Sequence, residues 1–285
     1  NMHVESNAEI SIATLPVNKN DAPGFGIMKV DDNGIIQKFI EKPKADELVN
    51  WVSPVDEAQA ALGNIYLASM GIYVFNRTTL NRLFDENPHF TDFGKEIIPA
   101  AIKQGTKVAG YPYTGYWTDI GTIRSFFEAN LDLAEIIPKF NLFDNNKLIY
   151  TRARMLPPSK FSHDTVLKGS VISEGCIINA SIIERCIIGN RARIGEGTVM
   201  KNCIDFGNDF YQSVADLVVE DKFIGIGKNC HFENCIIDKD VRIGDNVVIV
   251  GSTEMEDTET ETFCIKDGIV IIKKGAYIKT GTRVV

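Results

Sequence analysis

Through much of the second half of this chain an aliphatic side chain returns at every sixth position. Val166, Ile172 and Ile178 set the step, and Ile182, Ile188, Ile194 and Met200 resume it in a shifted frame. Ile237, Ile243 and Ile249, then Ile272, Ile278 and Val284, repeat it. A period of six suits neither a helix of about 3.6 residues per turn nor the two-residue alternation of an ordinary strand. It fits a β-helix of hexapeptide turns, in which each flat face contributes one inward aliphatic residue and three faces complete a coil. Coils must stack, because no single coil can bury its own residues. Gly189, Gly195, Gly227 and Gly244 fall at the expected corners. Two polar, acidic stretches, 205–222 and 252–264, break the repeat and read as surface loops. Such a stack ends in open strand edges that need covering, so a homo-oligomer is expected, a tetramer first among the possibilities.

The first half alternates strand-like and helix-like stretches and reads as an α/β domain. Residues 9–15, 26–30 and 71–75 are short β-rich runs. Residues 125–137 place Phe126, Phe127, Leu131, Leu133 and Ala134 mostly on one helical face. Between Pro138 and Phe161 regularity fades, with Asn145-Asn146 and Pro157-Pro158 breaking any period. The expected organisation is therefore an α/β domain over 1–138, a linker over 139–162 and the β-helix over 163–285. A chain of 285 residues, 44% of them hydrophobic, can fill two cores without staples. Its formal net charge of −8 argues against a nucleic-acid surface, so any anionic substrate must be held by a few placed lysines. The six cysteines all lie in the second half, none spaced as CxxC, and read as buried thiols in a reducing cytoplasm rather than metal ligands or disulfides. No stretch approaches the roughly 20 apolar residues of a membrane span and no cleavable signal is visible, so a cytoplasmic protein with no membrane partner is expected.

Three clusters in the first half set charged or polar groups in apolar context. Phe39-Ile40-Glu41-Lys42-Pro43 ends a strand with a carboxylate, an ammonium and a proline; alone it reads as a surface ion pair. Ser69 to Phe75, SMGIYVF, starts an apolar strand with a hydroxyl and carries Tyr73 within it; alone it reads as a strand with a polar first residue. Tyr116-Trp117-Thr118-Asp119-Ile120-Gly121-Thr122 sets an aspartate beside aromatics, ahead of a glycine turn and a helix cap at Thr122, and Asp119 alone reads equally well as part of the cap.

Together, in this order, the clusters resemble the bacterial and plant glucose-1-phosphate adenylyltransferases. The resemblance covers essentially the whole chain: FGIMKV at 25–30, IEKP at 40–43, ASMGIYVF at 68–75, DFGKEIIP at 92–99, YWTDIGT at 116–122 and LPPSK at 156–160. IEKP is shared with other sugar nucleotidyltransferases, whereas SMGIYVF with DFGKEIIP and a hexapeptide tail is far more specific. The resemblance implies a partial nucleotidyltransferase (Rossmann-like) α/β domain followed by a left-handed parallel β-helix. It implies synthesis of ADP-glucose and pyrophosphate from ATP and glucose 1-phosphate, with Mg²⁺. Positioning and cations do most of the work in such a reaction, and no protein nucleophile is needed. By the family pattern Lys42 neutralises the sugar phosphate, Glu41 accepts hydrogen bonds from glucose hydroxyls, and Gly26 and Ser69 line the sugar site. Tyr73, Asp92, Phe93 and Trp117 complete the hexose pocket, and Asp119 ligates Mg²⁺, a hard cation that prefers carboxylate oxygen.

The family's glycine-rich phosphate loop and a second magnesium-binding aspartate are absent ahead of His3, so the ATP site is expected to be incomplete and this polypeptide, by itself, inactive and a product of truncation. Lys239 and Lys274 match lysines that hold anionic sugar-phosphate effectors in plant and cyanobacterial relatives; on their own they read equally well as solvated surface lysines. Two further readings compete: a nucleotidyltransferase for another base or hexose, and a noncatalytic regulatory or oligomerisation subunit. A hexapeptide acyltransferase would need a catalytic histidine, and within the repeats only His163 and His231 are available.

Overall fold

A computed structural model describes residues 1–162, 164–213, 215, 216 and 223–285. His163 and part of the 205–222 insertion lie outside them. The chain forms two compact units, Asn1–Gly115 and Tyr116–Val285.

In the first unit five strands form one sheet: β1 (Ile10–Val17), β2 (Gly26–Val30), β3 (Ile36–Glu41), β4 (Tyr66–Phe75) and β5 (Val108–Pro112). Their order is β3-β2-β4-β1-β5, antiparallel except for the β1–β5 pair. Strand β1 is buried or half-buried along its whole length, with Ser11 and Thr14 among its buried residues. Ile10 and Ile12 pack with Met28, Leu83, Ile97, Ile98 and Val108 on one face, while Val17, Ile27, Leu48, Tyr66 and Ala68 form a second cluster. Strand β4 starts earlier than its sequence suggests, so Ser69 sits mid-strand and buried. The pairing to β1 slips between Ile12↔Tyr73 and Thr14↔Ser69, a bulge centred near Gly71, whose φ of +70° is a left-handed value that glycine adopts without strain.

In the second unit parallel ladders build a left-handed β-helix. One face stacks Ile178, Ile194, Ile226, Ile243 and Ile278 in register. A second stacks Ile183, Met200, Phe232 and Ile249, with Val284 at the end. The third runs Ile172, Ile188, Asp205, Ile237, Ile272. The shifted frame now has a cause: from Ile178 to Ile183 and on to Ile188 the step is five, so Ile183 points inward and Ile182 does not. Val166, in the first coil, is exposed. The corner glycines answer to space rather than to backbone angle: a Cβ on Gly189, Gly195 or Gly227 would stand 2.3–2.5 Å from a backbone oxygen of the next coil, and one on Gly244 2.5 Å from Thr280 Oγ1. Left-handed corners are taken instead by residues such as Asn202, Asn229, Asn234 and Asn246. Five of the six free cysteines are buried, and Cys186, Cys203 and Cys235 each donate S–H to a carbonyl two residues back. The 252–264 insertion is more ordered than a loop: Thr258–Glu259 pairs with Phe263–Lys266, which pairs with Ile269–Ile272.

The helix expected over 125–137 spans Ile123–Leu131. Thr122 caps it, its Oγ1 accepting the Ser125 N–H at 3.1 Å while Ser125 Oγ accepts the Thr122 N–H at 3.2 Å. Pro138 disfavours helical backbone at Ile137, and Ile136 and Ile137 are almost fully exposed. The helix packs Phe127 and Leu131 onto Ile204, Ile236 and Ile269 of the β-helix.

Candidate active site

Glu41 ends β3 directly opposite Gly26 at the start of β2. That pairing aims its carboxylate into a space two glycines leave open. A Cβ on Gly26 would lie 2.5 Å from Phe39 Cζ and 2.7 Å from Glu41 Oε2; one on Gly94 would lie 2.7 Å from the same oxygen and 3.5 Å from Asp92 Oδ1. Burial pushes the Glu41 carboxyl above the usual carboxylate range; Lys42 opposes that shift, Asp92 adds to it and Lys95 opposes it. The next residue, Lys42, turns the chain with a left-handed φ of +47°, its N–H donating to Phe25 O at 3.0 Å, and leaves its side chain exposed beside the carboxylate.

Asp92 caps a π-helical turn, Phe93–Ile97, accepting the Lys95 N–H at 2.8 Å. Glu96 reaches back to accept the N–H groups of Thr91 and Asp92, at 2.8 and 3.0 Å. This reciprocal cap fixes Phe93, whose half-exposed ring stacks on Tyr73 at 5.7 Å and 20° and touches Phe75 and Phe84. The β4 bulge brings Ser69 and Tyr73 together, and the Ser69 hydroxyl also accepts the Gly71 N–H at 3.3 Å. Burial raises the Tyr73 phenol above its ordinary value, with the Ser69 hydrogen bond opposing and the charges of Glu41 and Asp92 adding. One cluster thus unites Gly26, Glu41, Lys42, Ser69, Tyr73, Asp92 and Phe93: carboxylates and hydroxyls against an aromatic wall, with an exposed ammonium alongside. Polar groups of that kind over an aromatic face suit a hexose carrying an anionic group.

Trp117 and Asp119 belong to the second unit. Trp117 is half-buried and Asp119 exposed, its carboxylate folded so near Gly121 that a Cβ there would lie 2.9 Å from Oδ2. Lys239 and Lys274 meet at one carboxylate, Asp209, whose Oδ1 and Oδ2 lie 2.7 and 3.0 Å from their ammonium nitrogens. His231 lies 3.8 Å from Glu233.

Two family models match the chain: "Nucleotidyl transferase" over residues 1–136 and "GLGC left-handed parallel beta-helix domain" over 154–283. The glucose-1-phosphate adenylyltransferase small subunit, chloroplastic/amyloplastic, of Triticum aestivum is 41% identical over 98% of this chain. The chain is thus similar, over nearly its whole length, to a glucose-1-phosphate adenylyltransferase small subunit. It spans 62% of the length of that wheat relative.

The sequence alone did not single out Gly94, Lys95 or Asp209. Gly94 and Lys95 lie inside DFGKEIIP, yet only the fold shows that Gly94 shelters Glu41. No helix among the described residues is long and apolar enough to cross a membrane. The wheat relative's name places that protein in a plastid, which does not bear out the cytoplasmic expectation.

Proposed function

We propose that this chain supplies the sugar-phosphate half of an ADP-glucose-forming nucleotidyltransferase. A phosphate oxygen of glucose 1-phosphate attacks the α-phosphorus of ATP, the bond to the β-phosphate oxygen breaks, and pyrophosphate leaves with the electron pair. The observation that carries this reading is the Glu41 carboxylate lodged between Gly26 and Gly94 with Lys42 beside it. In this reading Glu41 and Asp92 accept sugar hydroxyls, and Ser69 and Tyr73 complete the polar lining. Phe93 walls the ring, with Trp117 assigned to it by the family pattern alone, and Lys42 offsets the phosphate charge, so two anions can approach.

Mg²⁺ fits this chemistry through Asp119. Its exposed carboxylate is the oxygen donor the ion takes, and an ion that keeps several waters and binds nucleotide phosphates needs only one or two protein carboxylates. Among the described residues no three ligating side chains gather to form a closed metal site. When bound, the ion would neutralise phosphate charge; holding and orienting the sugar falls to the chain's own groups. Lys239 and Lys274 form an effector site for a phosphate-bearing anion in the same reading, and the need of β-helix strand edges for cover supports assembly into a homo-oligomer, a tetramer in the first instance.

Pyrophosphate release by the protein extended to the length of its wheat relative, with glucose 1-phosphate and ATP, UTP or GTP in turn, tests the reading. Turnover with ATP alone is expected, with Lys42→Ala chiefly raising the glucose 1-phosphate requirement. Turnover only with another nucleotide moves the chain to a sister activity, and none with any nucleotide favours a regulatory subunit.

A further inference from the structure

The two lysines of the β-helix are already engaged by an anion of the chain's own. Asp209 presents Oδ1 to Lys239 Nζ at 2.7 Å and Oδ2 to Lys274 Nζ at 3.0 Å, and Lys274 lies 3.8 Å from Asp240 Oδ2. Two carboxylate oxygens spread over two ammonium groups reproduce the contact that two oxygens of a phosphate would make. The backbone sets the aspartate there: its N–H donates to Asp240 Oδ1 at 2.8 Å, and Asn208 Nδ2 donates to Arg191 O at 2.7 Å. The hydrogen bonds from Lys239, then Lys274, hold the Asp209 carboxyl down to about 2, so it is charged at any working pH. The pairs are nonetheless exposed and therefore exchangeable. Beside Asp209 a cavity of about 370 Å³ opens, lined also by Arg152, Arg154, Met155 and Arg191, so an incoming anion approaches through positive potential.

We propose that Asp209 is a built-in competitor at the Lys239–Lys274 site, and that an outside phosphate group binds there by displacing its carboxylate. This rests on reading the two lysines as an anion site. A tethered competitor lowers the apparent affinity by the fraction of time the lysines stand free. The site then answers only to ligands present in excess or bearing more charge than one carboxylate.

Calorimetric titration of the chain with inorganic phosphate at fixed ionic strength tests both layers. Asp209→Asn is expected to tighten phosphate about three- to thirtyfold, the range that freeing two exposed pairs allows. Asp257→Asn, which removes an equal charge from the separate Lys266 pair, is expected to leave it unchanged. Lys239→Ala and Lys274→Ala should weaken binding in either background, with melting temperatures confirming that each variant is folded. If the lysine variants weaken phosphate while Asp209→Asn does not tighten it, the competitor is overturned and the anion site stands. If the lysine variants leave phosphate binding unmoved, the anion site falls and the competitor with it.

Discussion

Gly94 carries a constraint that its side chain, a hydrogen, conceals. Gly94→Ala would set a carbon 2.7 Å from Glu41 Oε2, closer than real contacts allow, so the carboxylate must leave its place. Because misplacement by about 1 Å can cost on the order of a hundredfold, the variant of the extended enzyme is expected to raise KM for glucose 1-phosphate about ten- to a hundredfold, with KM for ATP nearly unchanged. Steady-state kinetics with each substrate varied in turn checks this. Asp205 poses a different residue-scale problem. In sequence it reads as the first polar residue of an insertion, but the fold gives it an inward place in a ladder of isoleucines. Burial pushes its carboxyl from 3.8 up to about 6, against one hydrogen bond from the Gly207 N–H. Between those values the native state holds a proton that the unfolded chain has released, so stability falls as pH rises through the window and stays lower above it. Asp205→Asn is expected to flatten that slope and to raise stability at pH 8, by at most about 3 kcal/mol. Urea unfolding at pH 4, 6 and 8 reads both effects. Neither residue's role was legible in the sequence, since each depends on which neighbour the fold brings opposite.

Elements were read more fully where one residue repeats one job. The six-residue step exposed the β-helix because each face contributes one inward side chain, and it slipped where the step shortens to five, as from Ile178 to Ile183, Ile183 to Ile188, Met200 to Asp205 and Phe232 to Ile237. The corner glycines follow from the same stacking. Gly227→Ala would place a carbon 2.5 Å from Gly244 O, in a coil held by the Gly227 N–H to Ile243 O bond at 2.9 Å. A loss of about 1–3 kcal/mol is expected from such overpacking, whereas Gly24→Ala, with nothing within 4 Å, should be nearly neutral. Their urea midpoints compared side by side decide it. The 123–131 helix was legible at its start, where Thr122 and Ser125 cap each other, and not at its end, where apolar Ile136 and Ile137 prolong the pattern but have nothing to bury against. Thr122→Ala should cost about 1 kcal/mol.

At the scale of the whole molecule, the composition change was read at residues 139–162, whereas the two compact units divide between Gly115 and Tyr116, and the helix changed company. It lies on the β-helix, with Phe127 and Leu131 covering Ile204, Ile236 and Ile269. A chain of residues 116–285 is therefore expected to unfold cooperatively. One beginning at 139 leaves those isoleucines uncovered and should be less stable by several kcal/mol, as scanning calorimetry of the two would record. The proposed site residues divide by unit: Gly26, Glu41, Lys42, Ser69, Tyr73, Asp92 and Phe93 cluster within the first, and Trp117 and Asp119 belong to the second. What decides the account most directly is the binding isotherm of glucose 1-phosphate on this chain beside its Glu41→Gln and Lys42→Ala variants. Each substitution is expected to weaken binding about ten- to a hundredfold, the worth of one hydrogen bond to a charged group. Binding that both variants leave unchanged would contradict it, because the sugar phosphate would then sit somewhere other than beside Glu41 and Lys42.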